Sequence, residues 1–467
     1  MAGQMHRQFL LTEAPSKSCK MNVKILSEEI IKPSSPTPHH HPNTYKVSLL
    51  DQFSPSSYMP FILFYKNKNN SLDHQDSAQT LSHLKESFSK TLAIYYPLAG
   101  RFRDAATIEC NDEGGLYVEA QVNGTLPEFL KQPDVQFLNN FLPCKANGLE
   151  KDRIPPVAVK ITQFQCGGLV VGACLFHKVV DAAASAAFLN SWARVARGEK
   201  VVEPDFSSAS ALFPPKDPLS DDFVRYFDNF FFQGKKSYMR RYVFDATALT
   251  TLRANAASEK VPNPSRVEAL SAFVAERLTW ASTAAKSEIF STLMITHPVN
   301  LRQRIEPPLP DNTFGNIIWL AFAFYEIDPS NTEKKIDHAD LVKILREAFA
   351  GLNKDSIAEL DADEAFNALN EVLESVYTNE NIKIFRFTSA NNMGLYDVDF
   401  GWGTPSWVAH MGDMVGYRSK QQFVFLEATT GKGLELWLAS DEAELSILEK
   451  DPEFLEYATP NPSICIE

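Results

Sequence analysis

The sequence predicts a mixed α/β fold in two parts, with helices and strands on both sides of a proline-rich connection. Three observations lead there. The run Leu169 to Phe176 is unbroken and apolar after Gly167-Gly168, which suits a strand buried on both faces, and an Ala-rich helical stretch follows it at once. Between Gly198 and Asp222 the periodicity fades and Pro204, Pro214, Pro215 and Pro218 gather, as in an interdomain linker. Beyond that stretch, helical and strand-like segments resume.

In chain order, residues 1–20 read as a loose extension without the apolar core of a signal peptide, and Met21 is an alternative start. The first domain is expected over 21–200, the crossover over 201–225 and the second domain over 226–467. Lys32 to Asn43 holds four prolines and three histidines and must be extended loop. From Leu81 an amphipathic helix carries Leu84, Phe88 and Leu92 on one face and stops before Pro97. Ala182 to Ala196 forms the Ala-rich helix. In the second domain the pattern predicts a strand at Tyr242–Phe244, a helix from about Val267 to Trp280 and one long acidic helix over Asp355–Tyr377. A strand follows at Ile382–Phe387. Phe423–Leu426 and Leu434–Leu438 form a hairpin across Gly431-Lys432-Gly433. A cleft between two such halves is a natural meeting place for two substrates.

The bulk numbers narrow the function. A chain of 467 residues with 44% hydrophobic content and 33 phenylalanines can bury a large core. A net charge of −13 repels phosphodiester backbones and anionic lipid, so neither nucleic acid nor a membrane surface is an expected partner. The six cysteines are scattered without a Cys-x-x-Cys pair and read as reduced thiols. The apolar stretch Ile317–Tyr325 is too short to span a bilayer, and the cytosol is the default compartment. No Gly-rich nucleotide motif supports NAD or ATP chemistry. His39-His40-His41 sits among prolines with no carboxylate cluster, so no metal site is expected. Lys235, Lys236, Arg240 and Arg241 read as a solvated basic face, and Phe230-Phe231-Phe232 as core or pocket wall.

The chemistry centres on His177-Lys178-Val179-Val180-Asp181. At the end of a buried strand, His177 points its ring at the mouth of a sheet, where a group titrating near neutrality can take and return a proton. Asp181 falls at the N-cap of the Ala-rich helix and is suited to holding the turn. On the pattern alone, a core histidine beside an ordinary capped helix fits equally well. Cys174 lies on the opposite face of the strand from position 177, so it reads as a buried structural thiol and not as a nucleophile.

Three separated motifs then agree in order. Tyr96-Pro97-Leu98-Ala99-Gly100-Arg101, His177-x-x-x-Asp181 and Asp399-Phe400-Gly401-Trp402-Gly403 together resemble the plant BAHD acyltransferases, which move acyl groups from coenzyme A thioesters to alcohols or amines. Lys32–Pro38, Leu49-Leu50-Asp51, Asn300-Leu301-Arg302 and Gly394-Leu395-Tyr396 extend the likeness over nearly the whole chain after Met21. They are most similar to the branch that holds vinorine synthase and other acetyltransferases of alkaloid and terpenoid alcohols. The resemblance implies two chloramphenicol acetyltransferase-like domains with a central channel and a monomer. It implies acetyl-CoA or another acyl-CoA as co-substrate, a small-molecule alcohol as acceptor and no permanently bound cofactor. It also implies that His177 is the general base in a ternary complex and that Asp181 turns away to pair with Arg302. Asp399, Gly401 and Gly403 would shape a tight structural loop, and Asn300 and Trp402 would border the substrate or coenzyme A channel.

The chain departs from its family at one point. Many members have Thr/Ser-Ser-Trp where this sequence has Thr388-Ser389-Ala390, followed by Asn391-Asn392. The indole is replaced by a methyl group, which leaves Thr388 and Asn391 as oxyanion donors and Ala390 as a widened channel wall. The competing reading is that His177 serves as base for a coenzyme A-independent addition, cyclisation or coupling of a specialised metabolite.

Overall fold

The computed structural model describes residues 21–37, 43–67, 74–144, 155–216, 218–232, 236–285, 290–327, 336–359, 361–412, 421–429 and 431–465. Residues 1–20, His39–His41 and Lys235 lie outside them. The strands of the two large sheets are β1 (Val23–Ile31), β2 (Tyr58–Tyr65), β3 (Gly115–Val122), β4 (Val157–Phe164), β5 (Leu169–Phe176), β6 (Tyr238–Phe244), β7 (Thr292–Asn300), β8 (Ile318–Glu326), β9 (Ile382–Ser389), β10 (Trp407–Ala409), β11 (Gln422–Glu427), β12 (Leu434–Ser440) and β13 (Thr459–Pro460). The first sheet has the order β1-β3-β4-β5-β2-β10 and the second β8-β7-β9-β11-β12-β6-β13. A small third sheet joins Thr44–Lys46, Thr107–Glu109 and Arg101–Asp104. The chain is thus a mixed α/β protein of two sheet-centred halves. β10 comes late in the chain yet closes the edge of the first sheet, pairing with β2.

The main helices are α1 (His74–Ile94), α2 (Ala182–Ala196), α3 (Asp221–Phe232), α4 (Arg266–Ala285), α5 (His338–Gly351), α6 (Ala362–Thr378) and α7 (Glu442–Leu448). On α1, Leu84, Phe88 and Leu92 are fully buried, and the helix ends before the helical turn that contains Pro97. β5 is buried at every residue, as a central strand covered on both faces must be. The predicted hairpin forms as β11 and β12, with Phe423 opposite Leu438. The single helix expected over Asp355–Tyr377 is instead two, Lys354–Ala358 and α6. Asp361 causes the break: its carboxylate accepts hydrogen bonds from the amides of Asp363 and Glu364 and starts a new helix.

The crossover stretch carries a short helix, Ser208–Leu212, and runs into α3. Asp205 bridges to Thr313, and its carbonyl accepts from the amide of Phe314 at 2.9 Å. This contact docks the crossover on the loop that leads into β8, a placement that matters for the site. Arg241 departs from the solvated basic face expected of it. It is buried in a bidentate pair with Glu435 at 2.5 and 2.9 Å, while Arg240 reaches Glu449 at 2.7 Å. Trp407 of β10 donates its indole N–H to the same Glu435, so the buried pair also ties the first sheet to the second.

Candidate active site

His177 follows β5 directly. Its amide donates to the Ser57 carbonyl at 2.9 Å, which holds the turn against the start of β2. Asp181, four residues on, caps α2 by accepting from the Ala184 amide at 2.8 Å. The same carboxylate takes Arg302 at 2.7 and 3.2 Å and the Ile317 amide at 3.0 Å. Arg302 is fully buried and also donates to the carbonyls of Thr313 and Gly315. With every Asp181 oxygen occupied, this residue orders the turn and has no lone pair directed at a reactant.

The ring of His177 is oriented by a residue absent from the sequence expectations. Asn316 Oδ1 lies 3.1 Å from His177 Nδ1. Asn316 Nδ2 donates to the His177 carbonyl and to Asp51 Oδ1, each at 2.7 Å, and the Asn316 amide donates to Asp51 Oδ1 at 2.6 Å. Because both Nδ2 bonds end on acceptors, the amide has one consistent orientation, with Oδ1 toward the ring. The imidazole must then carry its proton on Nδ1, leaving Nε2 as the basic nitrogen. Burial lowers the His177 pKa, and hydrogen bonds to its own backbone and to Asn316 oppose that shift. Asp51 is fully buried and burial pushes its carboxyl up to about 6, although Asn316 and Ser48 hydrogen-bond to it. Gly315, at φ +111°, makes the turn that brings Asn316 under the histidine.

His177 borders a cavity of about 440 Å³ between the two sheets. Strand register determines which side chains face it. Arg386 and Thr388 of β9, with Ala390 just past its end, line it beside Gln422, Val424 and Leu426 of β11. Thr296, Pro298 and Asn300 of β7 and Ile318 and Leu320 of β8 continue that floor. Tyr58, Met59 and Phe61 of β2 face them, and Phe230 and Phe231 of α3 close one wall. Asn391 also borders the cavity, and its buried Oδ1 has no hydrogen-bond partner among the described residues. Asn300 reaches the site a second way, since its Oδ1 accepts from the backbone and the guanidinium of Arg302.

Trp402 is not on the cavity wall. It stacks on Phe400 at 5.4 Å and meets Tyr65 edge-on, in the packing beneath the first sheet. Asp399 ties down its loop by accepting from the amides of Gly401 and Gly403 at 2.8 and 2.7 Å, and both glycines have φ +109°. Arg197 donates to the Asp399 carbonyl and fixes the loop to the end of α2. Cys174 is buried, and burial drives its thiol pKa well up, which suits an inert side chain.

Asn316 and Asp51 are the residues that sequence reasoning missed as site residues. Asp51 lies in a segment that resembles the family, but nothing local marks its link to His177, 126 positions on. Asn316 gives a weaker signal, a lone amide between Phe314-Gly315 and the apolar run that begins at Ile317.

Comparison with known proteins gives one consistent result. A family model described as "Transferase family" matches residues 21–455. Akuammiline synthase 2 of Alstonia scholaris is 65% identical over 451 residues, covering 96% of this chain and 99% of that protein. Stemmadenine O-acetyltransferase of Catharanthus roseus is 36% identical, covering 92% of this chain and 96% of that protein. The crystal structure of vinorine synthase superposes with a TM-score of 0.78 at 33% identity, covering 95% of this chain and all of that one.

Proposed function

The chain belongs to the transferase family of the BAHD acyltransferases, and from that premise we propose that it moves an acetyl group from acetyl-CoA to a hydroxyl of a bulky alkaloid or terpenoid alcohol. The observation that carries this reading is the fixed tautomer of His177. Asp51 orients Asn316, Asn316 holds Nδ1–H, and Nε2 is left as the base on the cavity wall. Nε2 takes the acceptor's proton as its oxygen forms a bond to the thioester carbonyl carbon. Negative charge on the carbonyl oxygen is met by donors from the segment that follows Phe387, with the Thr388 hydroxyl and the Asn391 amide group as the two assigned here. The carbon–sulfur bond then breaks, and Nε2–H returns the proton to the thiolate. Burial favours this cycle by keeping the imidazole neutral at physiological pH.

Asp181 and Arg302 are positioning residues in this scheme, and Asp399, Gly401 and Gly403 are structural. Ala390 makes room for a wide acceptor, and Asn300 forms part of the cavity floor. The acetyl donor is supported by the activity in the name of the Catharanthus relative, and the size of the acceptor by the cavity. The reading places the enzyme in the cytosol as a monomer, in keeping with the described cysteines being free. Among the described residues no helix is long and apolar enough to cross a membrane.

The test is release of free thiol from acetyl-CoA in the presence of a panel of indole-alkaloid and limonoid alcohols. Thiol release that depends on an alcohol and matches ester formed is the expected result. A second reading rests on Ala390: with no indole at the oxyanion, His177 would act as base in a reaction without coenzyme A. Conversion of a panel compound without any thioester, alongside no thiol release with one, would replace the first reading by the second.

A further inference from the structure

We infer that His410 is a recognition residue of the same cavity, hydrogen-bonding the part of the bound acceptor that lies farthest from the reacting hydroxyl. The inference rests on the acyl-transfer reading for the position of that hydroxyl at His177. His410 directly follows β10, borders the cavity and is 8% exposed. Its Nδ1 is shielded from water and has no hydrogen-bond partner among the described residues. The contrast with His297 is instructive. That histidine is equally buried but outside the cavity; its Nε2 pairs with the Ser271 hydroxyl at 3.0 Å and its ring stacks on Phe387. His297 thus finds a side-chain partner within the fold, whereas His410 Nδ1 has none among the described residues.

Register places the two cavity histidines at opposite ends. The His410 ring lies 6.2 Å from Trp437, which stands opposite Val424, which in turn neighbours Thr388. His410 therefore stands over the β12 side of the floor. His177 is tied by Asn316 to the residues that enter β8. In the first sheet both flank β2, His177 beside Ser57 and His410 one residue past the Ala409–Ile62 pair. Two strand steps across and about four residues along the strand separate them by roughly 16 Å. No reacting centre covers that distance, but a polycyclic acceptor reaches across much of it.

The chemistry that His410 recognises is neutral. Burial pushes its pKa down to about 4, against a backbone hydrogen bond with Met411, so the ring carries no charge and Nδ1 is the nitrogen left for a ligand. A buried ring nitrogen without a partner is costly, and a ligand hydroxyl, carbonyl or amine nitrogen relieves that cost on binding. The amides of the coenzyme A arm have similar hydrogen-bonding chemistry, so the experiment must separate the two sources.

Steady-state kinetics on His410→Phe and His410→Asn do so, using the panel alcohol with the highest turnover. His410→Phe keeps the ring shape and removes both nitrogens; KM for the alcohol should rise about tenfold, with kcat and KM for acetyl-CoA within threefold of the starting protein. His410→Asn restores a polar atom near the Nδ1 position and should recover most of that loss. An unchanged alcohol KM in His410→Phe overturns the inference, as does a rise confined to acetyl-CoA. Thermal melting within a few degrees of the parent separates lost recognition from lost folding. If the parent protein acetylates nothing in the panel, the acyl-transfer reading fails on its own. Quenching of tryptophan fluorescence by the same alcohols then tests His410 directly: about tenfold weaker binding in His410→Phe supports it, and equal binding overturns it.

Discussion

The two ends of the cavity are built on opposite principles. At the His177 end the groups that set the ring have partners within the fold: Asp51 takes Asn316, Asn316 takes the ring, and Asp181 takes Arg302, an amide of α2 and the amide of Ile317. At the other end His410 Nδ1 is buried without a partner among the described residues. A base must hold one tautomer and one orientation through turnover, so its surroundings are saturated in advance. A surface that selects a ligand gains by leaving hydrogen bonds for the ligand to make, since an analogue that cannot make them is rejected. Damage at the first end should therefore lower kcat or stability, and damage at the second should change substrate preference.

The largest expected effect is at the base itself. His177→Ala should reduce turnover by about 10²–10⁴-fold in the thiol-release assay, with coenzyme A binding by calorimetry little changed. Retained turnover would remove His177 from its role. Next comes the buried pair. Arg302→Met leaves Asp181 as a buried, poorly compensated carboxylate, and loss of about 3–5 kcal/mol is expected in urea unfolding. A melt indistinguishable from the parent would mean that the pair does not hold the turn.

Asn316→Ala is smaller and more diagnostic, because Asn316 reaches the reaction through His177. Without the Nδ1 partner the ring loses its fixed tautomer, and kcat should fall about 10–100-fold. The pH profile carries a second readout. Burial already lowers the His177 pKa, so activity persists on the acid side of the ordinary histidine range and falls only as pH drops through the lowered value. The bond from Asn316 raises that pKa, so removing it should move the acid limb to still lower pH. A merely structural asparagine would lower activity without moving the limb.

What the sequence made legible follows from the range of the interactions. β5, α2 and the Asp181 cap are local, set by an apolar run, an Ala-rich run and one carboxylate at the right offset, and each forms with the expected bounds. The break before α6 was missed because a capping aspartate inside an acidic amphipathic stretch looks like one more solvated charge. The Asp51–Asn316–His177 chain was invisible for another reason. Its links join positions 265 and 139 residues apart, and only the docking of the two halves brings them together. Arg302 was reached through resemblance alone, by matching a motif to a family and not by any local pattern. β10 illustrates the same limit, because no short-range signal says that a three-residue strand from late in the chain will complete the first sheet.

The smallest expected effect is at Ala390. Like Thr388, two residues before it, Ala390 lines the cavity. Ala390→Trp would fill part of the 440 Å³ space and bring an indole N–H close to the segment assigned to the oxyanion. Two consequences oppose each other: lost room for a wide acceptor, and one more donor for the developing charge. A small alcohol such as cyclohexanol needs little room, so with it only the gain should register, as a few-fold rise in thiol release. A panel alcohol that fills the cavity should instead show a several-fold higher KM. Opposite shifts for the two alcohols would identify position 390 as the point where acceptor size is exchanged for oxyanion support. If both alcohols lose activity together, the indole cannot be accommodated near the oxyanion, and the donors at Thr388 and Asn391 must be sufficient without it.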